Sequence, residues 1–394
     1  MANPTYLEDY LVFPYPPLMG LNETLETFSQ VLESIDSSEQ RIAPRPTPRQ
    51  GFNFSIFLNK VDEQAKLENM LFGWQSLYWG LPIWCDKVLH TGTLSSGSSS
   101  IDIDSSYADF RNNTLAIIWK SIIEYEVVLI SDIDSSGLNL SETIVNTYVG
   151  DKWIMPCRLA QISSIEKQQL KSTIESVHTF TFLVVDNLLL TGYTPSVTYE
   201  DAEVITSPGL IEDGEEITSD ALIRSQDYIV GEFEYFSFSD FNKVTRPYKK
   251  RLTSREDCWN YRLWIHSLSG RQNAIWYPTF KPDMRHVVTI GASDTEIEIA
   301  NIGLTNNMGL NSLRTHLAFL LPNGTQLYRR IEDINLSNGN EVVTIDSALE
   351  QEIAVGGCTI SFLDKCRSAS DRFSFNWIDS DELENKINFI VVKE

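Results

Sequence analysis

The chain has 394 residues, 42% of them hydrophobic and 11% aromatic, which excludes a disordered polymer and, at roughly 150 residues per domain, points to two or three folded domains. Its 31 Lys and Arg stand against 54 Asp and Glu, a net charge of −23, so a phosphate backbone would be repelled and a general nucleic-acid binder is excluded. No window approaches 18 apolar residues, and the opening MANPTYLEDYLVFPYPP lacks the basic and apolar regions of a signal peptide, so neither a membrane span nor a secretory leader is expected.

In chain order, the first residues are rich in aromatics and prolines (Phe13, Pro14, Tyr15, Pro16, Pro17) and read as extended chain. In TLETFSQVLES the apolar Leu25, Phe28, Val31 and Leu32 have helical spacing, which predicts a short helix. Pro44, Pro46 and Pro48 exclude helix between Ala43 and Arg49, and Phe52 to Leu58 reads as a strand. Lys60 to Tyr78 is the clearest helix, with Val61, Ala65, Leu67, Met70, Leu71, Trp74, Leu77 and Tyr78 mostly at three- and four-residue spacing. That stripe fits core packing better than a cofactor site.

From Trp79 to Tyr199 come strand-like runs (SSIDID, TLAIIW, EYEVVLI, ETIVNTYV, HTFTFLVV), several of them separated by turn clusters (SSGSSS, DIDSSG, VGDK). That rhythm predicts a small antiparallel sandwich or barrel. Tyr199 to Asp227 then holds nine acidic residues against one Arg, and Phe241 to Arg285 ten basic against three acidic. The first stretch reads as a linker or long loop, and the second lies in another strand-rich region running from Tyr228 to the C-terminus. Such polarity can steer subunit docking, although each charge alone also suits an ordinary solvated surface. The expected organisation is an N-terminal arm, strand and helix (1–78), a first β-domain (79–199), an acidic linker (200–227) and a second β-domain (228–394). The fold class is mainly β, with two related antiparallel sandwich or barrel domains.

The relation between those domains rests on an internal similarity. LPIWCDKVLHTGTLSSGSSSIDID (81–104) can be laid over WYPTFKPDMRHVVTIGASDTEIEIA (276–300). Pro82 and Trp84 then match Pro278 and Phe280, Asp86 matches Asp283, and Ile101 and Ile103 match Ile297 and Ile299. VLISDIDSSGLNL resembles RRIEDINLSNGNEV, and IMPCRLAQI resembles AVGGCTISFL with Cys157 opposite Cys358, at an offset of about 200 residues throughout. Two unrelated small β-domains would also share some strand–turn rhythm.

Catalytic signatures are missing: there is no G-x-S-x-G, H-E-x-x-H, P-loop or G-x-G-x-x-G. The five histidines (His90, His178, His266, His286, His316) lack metal-ligand spacing. Five cysteines (Cys85, Cys157, Cys258, Cys358, Cys366) without a C-x-x-C pair read as reduced, mostly buried thiols of a protein made in a cytoplasm. Acidic pairs suited to a glycosidase are abundant, but 54 acidic residues make them expected by chance. The nearest approach to a metal site is Asp132-Ile-Asp134-Ser-Ser136-Gly137 with Glu142 behind it. An EF-hand needs its Glu at position twelve, and Glu142 falls one short between strand-like flanks, so a β-turn with solvated carboxylates is expected. No metal and no cofactor are expected.

SIDSSEQRIAPRPTPR (34–49) resembles the Glu-Gln-Arg…Pro-Arg segment near the N-terminus of tail-tip and distal-tail structural proteins of long-tailed bacteriophages. Three further pieces resemble the same group in the same order: the helix running into GLPIWCDK, the WYPTFKPDM segment after a Ser-Gly-Arg turn, and the closing CRSASDRFSFNW. Together they span most of the chain. Asp36-Ser37-Ser38 stands where a Gly often precedes Glu-Gln-Arg, which is a departure from the pattern. The resemblance implies a non-enzymatic virion protein, made in the host cytoplasm, that joins copies of itself and other phage tail proteins in a ring or hub at the tail end. Physically, Glu39, Gln40, Arg41, Arg45 and Arg49 would form a proline-stiffened assembly arm. Its guanidinium groups can clip onto an acidic face of a neighbour, or the arm can close over its own domain. Nine Trp and fifteen Tyr in a β-protein also fit a receptor- or carbohydrate-binding tail module. A glycan hydrolase is the third and weakest reading.

Overall fold

The computed structural model describes residues 10–34, 38–74, 77–172, 175–211, 216–310 and 313–393. Strands dominate, and most of them join one hydrogen-bonded network that is antiparallel apart from two short parallel pairs. The chain begins with β1 (Tyr10–Val12) and a long hairpin of β2 (Leu21–Glu33) and β3 (Glu39–Leu58). Helix α1 (Val61–Trp74) leads into β4 (Tyr78–Pro82), which β1 joins in parallel. Then follow β5 (Val88–His90), β6 (Thr93–Leu94), β7 (Ser100–Ile101), β8 (Leu115–Trp119), β9 (Tyr125–Asp134), β10 (Gly137–Leu140) and β11 (Tyr148–Val149). A second long hairpin, β12 (Lys152–Leu170) with β13 (Ser176–Val184), ends this half, with β13 against β3 and β12 against β4 and β8.

The second half runs through the same plan. After β14 (Thr198–Tyr199) and β15 (Ala202–Val204) come the hairpin of β16 (Thr218–Gln226) and β17 (Glu234–Leu252), helix α2 (Arg255–Leu268) and β18 (Ala274–Pro278). β15 lies parallel to β18 as β1 does to β4. The chain continues through β19 (Glu296–Ile299), β20 (His316–Leu320), β21 (Gln326–Ser337), β22 (Asn340–Ile345) and β23 (Thr359–Ser368). These pair in the order β18–β23–β20–β21–β22–β19. In the first half, β4–β12–β8–β9–β10–β7 pair in the corresponding order. Last come β24 (Arg372–Asp379) and β25 (Glu382–Val391), and β25 lies against β17 as β13 lies against β3. β24 departs from the plan: one edge pairs with β25 and the other with β2, so it stitches the two halves together.

Register corrects two of the expected matches. Cys157 faces Pro82, whereas the residue facing Pro278 is Leu363, and Cys358 lies just before β23 begins. The two cysteines are therefore not equivalent. The β9–β10 turn closes on Asp134 and Gly137, and the β21–β22 turn closes on Ser337 and Asn340. Leu138 thus matches Glu341, and Ile101, opposite Leu138, matches Ile299 and not Ile297. The sequence match had slipped by two residues, a shift that keeps every side chain on its own face and so leaves no trace in the alternation. Ile101, Ile103, Ile297 and Ile299 are all buried, the first two in the core of one half and the last two in that of the other.

Three secondary-structure expectations also change. Residues 21–33 form a strand and not a helix. Leu21, Glu23, Leu25, Thr27 and Ser29 are buried alternately, and Phe28 and Leu32 are exposed. Pairing with β3 on one edge and β24 on the other satisfies the backbone better than a short isolated helix could. Arg255–Leu268 is a helix inside a region expected to be strands, capped by Ser254, whose hydroxyl accepts from the Asp257 amide. The acidic stretch is more than a linker, because β15 and β16 both lie in it and are paired.

One large core runs through both halves, from Phe13, Phe54 and Phe180 to Tyr248, Trp264 and Phe389. A smaller core lies at the far end of each half, around Ile118 and Ile130 in the first and Phe319 and Ile331 in the second. Full burial of one such side chain contributes about 1.5–3 kcal/mol. All five cysteines are free thiols; only Cys358 is not fully buried. Among the described residues no helix is long and apolar enough to cross a membrane.

Candidate assembly surfaces

The proline-rich segment is a strand of a hairpin and not a free arm. Glu39, Gln40 and Arg41 face Glu33, Leu32 and Val31 across the β2–β3 hairpin, and Arg49 faces Glu26. The three prolines fall where the pairing is irregular between Glu26 and Gln30, which is where missing amide hydrogens cost least. Arg41 pairs with Glu39, and its Nη1 donates to the Arg271 carbonyl at 2.5 Å. Arg45 donates to the carbonyls of Glu26 (2.6 Å) and Thr27 (3.1 Å). Nearby, Lys243 on β17 reaches Glu33 at 3.0 Å and Arg271 donates to the Ser29 carbonyl at 3.2 Å. The hairpin is thus clamped to the second half of its own chain, and of the three arginines only Arg49 is exposed.

Beneath that clamp lies a buried ionic cluster that joins the halves. Arg262 projects from α2; its Nη1 lies 2.9 Å from Asp86 Oδ1 and its Nη2 3.1 Å from Glu23 Oε1. Glu23 also accepts from Gln50 Nε2 (2.6 Å) and Trp377 Nε1 (2.8 Å). From the first turn of α2, Arg255 donates to the carbonyls of Lys87, Asp86 and Tyr107. Asp109 adjoins the cluster between Arg111 and Arg158. Burial pushes its carboxyl up, and the two guanidinium groups overcome this and hold it down at about 2. His266, on the same helix, accepts the Leu190 amide through Nδ1, and burial together with Arg262 holds its pKa down at about 3. Arg262 thus bridges carboxylates of the first half from a helix of the second, while the buried Nε atoms of Arg158 and Arg262 have no hydrogen-bond partner.

The surface offers two other features. The outer part of the β16–β17 hairpin stands clear of the core: from Thr218 to Ser237 every residue whose burial is described is exposed. Its tip carries Tyr228, Ile229, Val230, Phe233 and Tyr235, with Ile229 92% and Val230 98% exposed. The signal in the sequence is the apolar run Tyr228-Ile229-Val230 beside acidic residues, with no period of either two or 3.6. The second feature is a cleft of about 380 Å³ lined by Trp84, Trp119, Trp153 and Trp377 with the Pro16–Gly20 loop. Lys87 lies 4.8 Å over the Trp153 ring and pairs with Asp379 at 2.7 Å.

The Asp132–Gly137 segment is the β9–β10 turn. Asp134 accepts from the Ser136 amide and from Asn139, Asp132 accepts from Asn112, and the Ser136 bonds hold Asp134 below the usual carboxylate range. Among the described residues no group of three or more His, Cys, Asp or Glu side chains is arranged to hold a metal. Glu203 lines a smaller cleft, but both its oxygens are taken, by Tyr193 and by Trp264 Nε1. No protein-family model matches the chain, and no curated protein matches it.

Proposed function

We propose that the chain is a non-enzymatic structural subunit of a bacteriophage tail, placed at the tail tip, distal tail or baseplate hub, where it joins copies of itself and other tail proteins. The observation that carries this reading is the β16–β17 hairpin, which presents an apolar tip to solvent. Monomers rarely leave such a cluster uncovered, so it calls for a protein neighbour. The resemblance of the 34–49 segment to tail proteins supplies the kind of assembly, and the net charge of −23 keeps free subunits dispersed until they dock. Mass spectrometry of purified virions with immunogold labelling tests it: the chain is expected in the particle with label at the tail end, and its absence from particles overturns the reading.

The tryptophan-lined cleft favours a second reading, a carbohydrate- or receptor-binding tail module, because aromatic faces beside a Lys–Asp pair suit a sugar ring. A glycan array separates the two. Binding that is lost in Trp153→Ala would favour the second.

A further inference from the structure

We infer that one copy of this chain pairs with the next by a strand-to-strand contact, the β16 edge of one molecule joining the outer half of β12 of another. The inference deepens the assembly reading above and rests on its premise that the chain associates with itself. It starts from the seam. In the second half, β24 continues the line of β23 along β25, and its far edge pairs with β2 of the first half. In the first half, β12 alone runs the whole length of β13. The outer half of β12 therefore stands where β24 stands, and β16 stands where β2 stands.

Register makes the equivalence specific. Gly51 and Leu58 face Leu183 and Ser176, as Thr245 and Leu252 face Ile390 and Leu383. Across the hairpins Thr24 faces Gly51 and Thr218 faces Thr245, so Thr24 and Thr218 are equivalent. Leu170 faces Ser176 and Trp377 faces Leu383, so Leu170 and Trp377 are equivalent. Within the seam Asn22 faces Asn376 and Glu23 faces Phe375. The same contact made a second time places Glu216 opposite Gln169 and Ile217 opposite Gln168, with Lys171 diagonal to Glu216.

Both edges are open for it. Among the described residues β16 pairs with β17 alone, and β12 beyond Ala160 pairs with β13 alone. Gln168, Gln169 and Leu170 are exposed, as are Glu216 and Thr218 to Ala221. Neither stretch contains proline, which native edges commonly use to block pairing. Among the described residues no strand pairing joins the two edges within one chain, so each lacks the partner that its counterpart has at the seam. A head-to-tail contact of this kind adds copies until a ring closes or a filament grows.

The test is a disulfide across the new pair, in a Cys358→Ser background that removes the one thiol that is not fully buried. Residues directly opposite in an antiparallel pair have Cα atoms about 4.5–5.5 Å apart, within reach of a disulfide. The double variant Glu216→Cys, Gln169→Cys is expected to give a ladder of dimers and higher species on a non-reducing gel after mild oxidation, with each single variant remaining monomeric. Cross-linking by either single variant would mean a symmetric contact and overturn the proposal. A double variant that stays uncross-linked while light scattering shows oligomers overturns the edge pairing and leaves self-association standing. A monomer by light scattering at every concentration overturns both.

Discussion

At Arg262 a single side chain neutralises carboxylates from two elements of the first half, and its own helix belongs to the second. Removing it leaves Glu23 and Asp86 buried without a counter-charge, so Arg262→Met is expected to cost about 3–5 kcal/mol in urea unfolding. His266 shows the same crowding through pH. Its folded pKa of about 3 lies below the ordinary 6.5, so between those values the unfolded chain binds the extra proton. Its stability contribution is complete above pH 6.5 and is lost as pH falls towards 3, at about 1.4 kcal/mol per pH unit. Thermal melts at stepped pH should show that slope, and His266→Gln should flatten it. A slope unchanged in the variant would assign the acid sensitivity to carboxylates such as Asp109.

Strand, turn and helix differ in how far they were legible. Phe52 to Leu58 read correctly, and the helix expected over Lys60 to Tyr78 is present as Val61–Trp74, shorter at its end because Tyr78 already belongs to β4, and with Leu67 alone of its stripe fully buried. Leu25 to Leu32 misled because Phe28 and Leu32, the residues that completed a helical stripe, sit on the exposed face of β2. Distant partners, Trp377 on β24 and Arg262 on α2, explain why Glu23 and not Phe28 is buried. Helix α2 did carry a local signal, the Ser254–Asp257 cap, but its stripe includes Arg262 and His266, which count as apolar-facing only once the ionic cluster is known. Of the five residues of the expected arm, Gln40 and Arg49 are exposed, and the tip of β16–β17 was not singled out. That tip carries its own prediction. Ile229 has a φ of 67°, a region that β-branched residues avoid at a cost of about 1–2 kcal/mol. Ile229→Gly is expected to raise the urea midpoint slightly while reducing incorporation into particles, and a midpoint that falls would show that the tip packs within its own chain.

At the scale of the molecule, the two halves share a core, a seam and an ionic cluster, so neither is expected to fold as an independent domain. β2 is covered on one edge by β24, Glu23 is neutralised by Arg262, and the first-half hairpin is clamped by Lys243 and Arg271. The covalent link between halves can be cut at Gly192, which has a φ of 105° and where a β-carbon would meet nothing within 4 Å. If the non-covalent contacts hold the halves together, residues 1–192 and 193–394 expressed as separate chains should each be insoluble or unfolded. In the first fragment Glu23 and Asp86 would be buried without Arg262, and β2 would present a bare edge. Co-expressed, the two should copurify and melt in a single transition. The melting temperature should fall below that of the intact chain, because association now costs translational freedom that the link had removed. Putting Arg262→Met into the second fragment should abolish copurification. Two fragments that fold and stay soluble alone would show that the seam is an interface between domains and not part of one core.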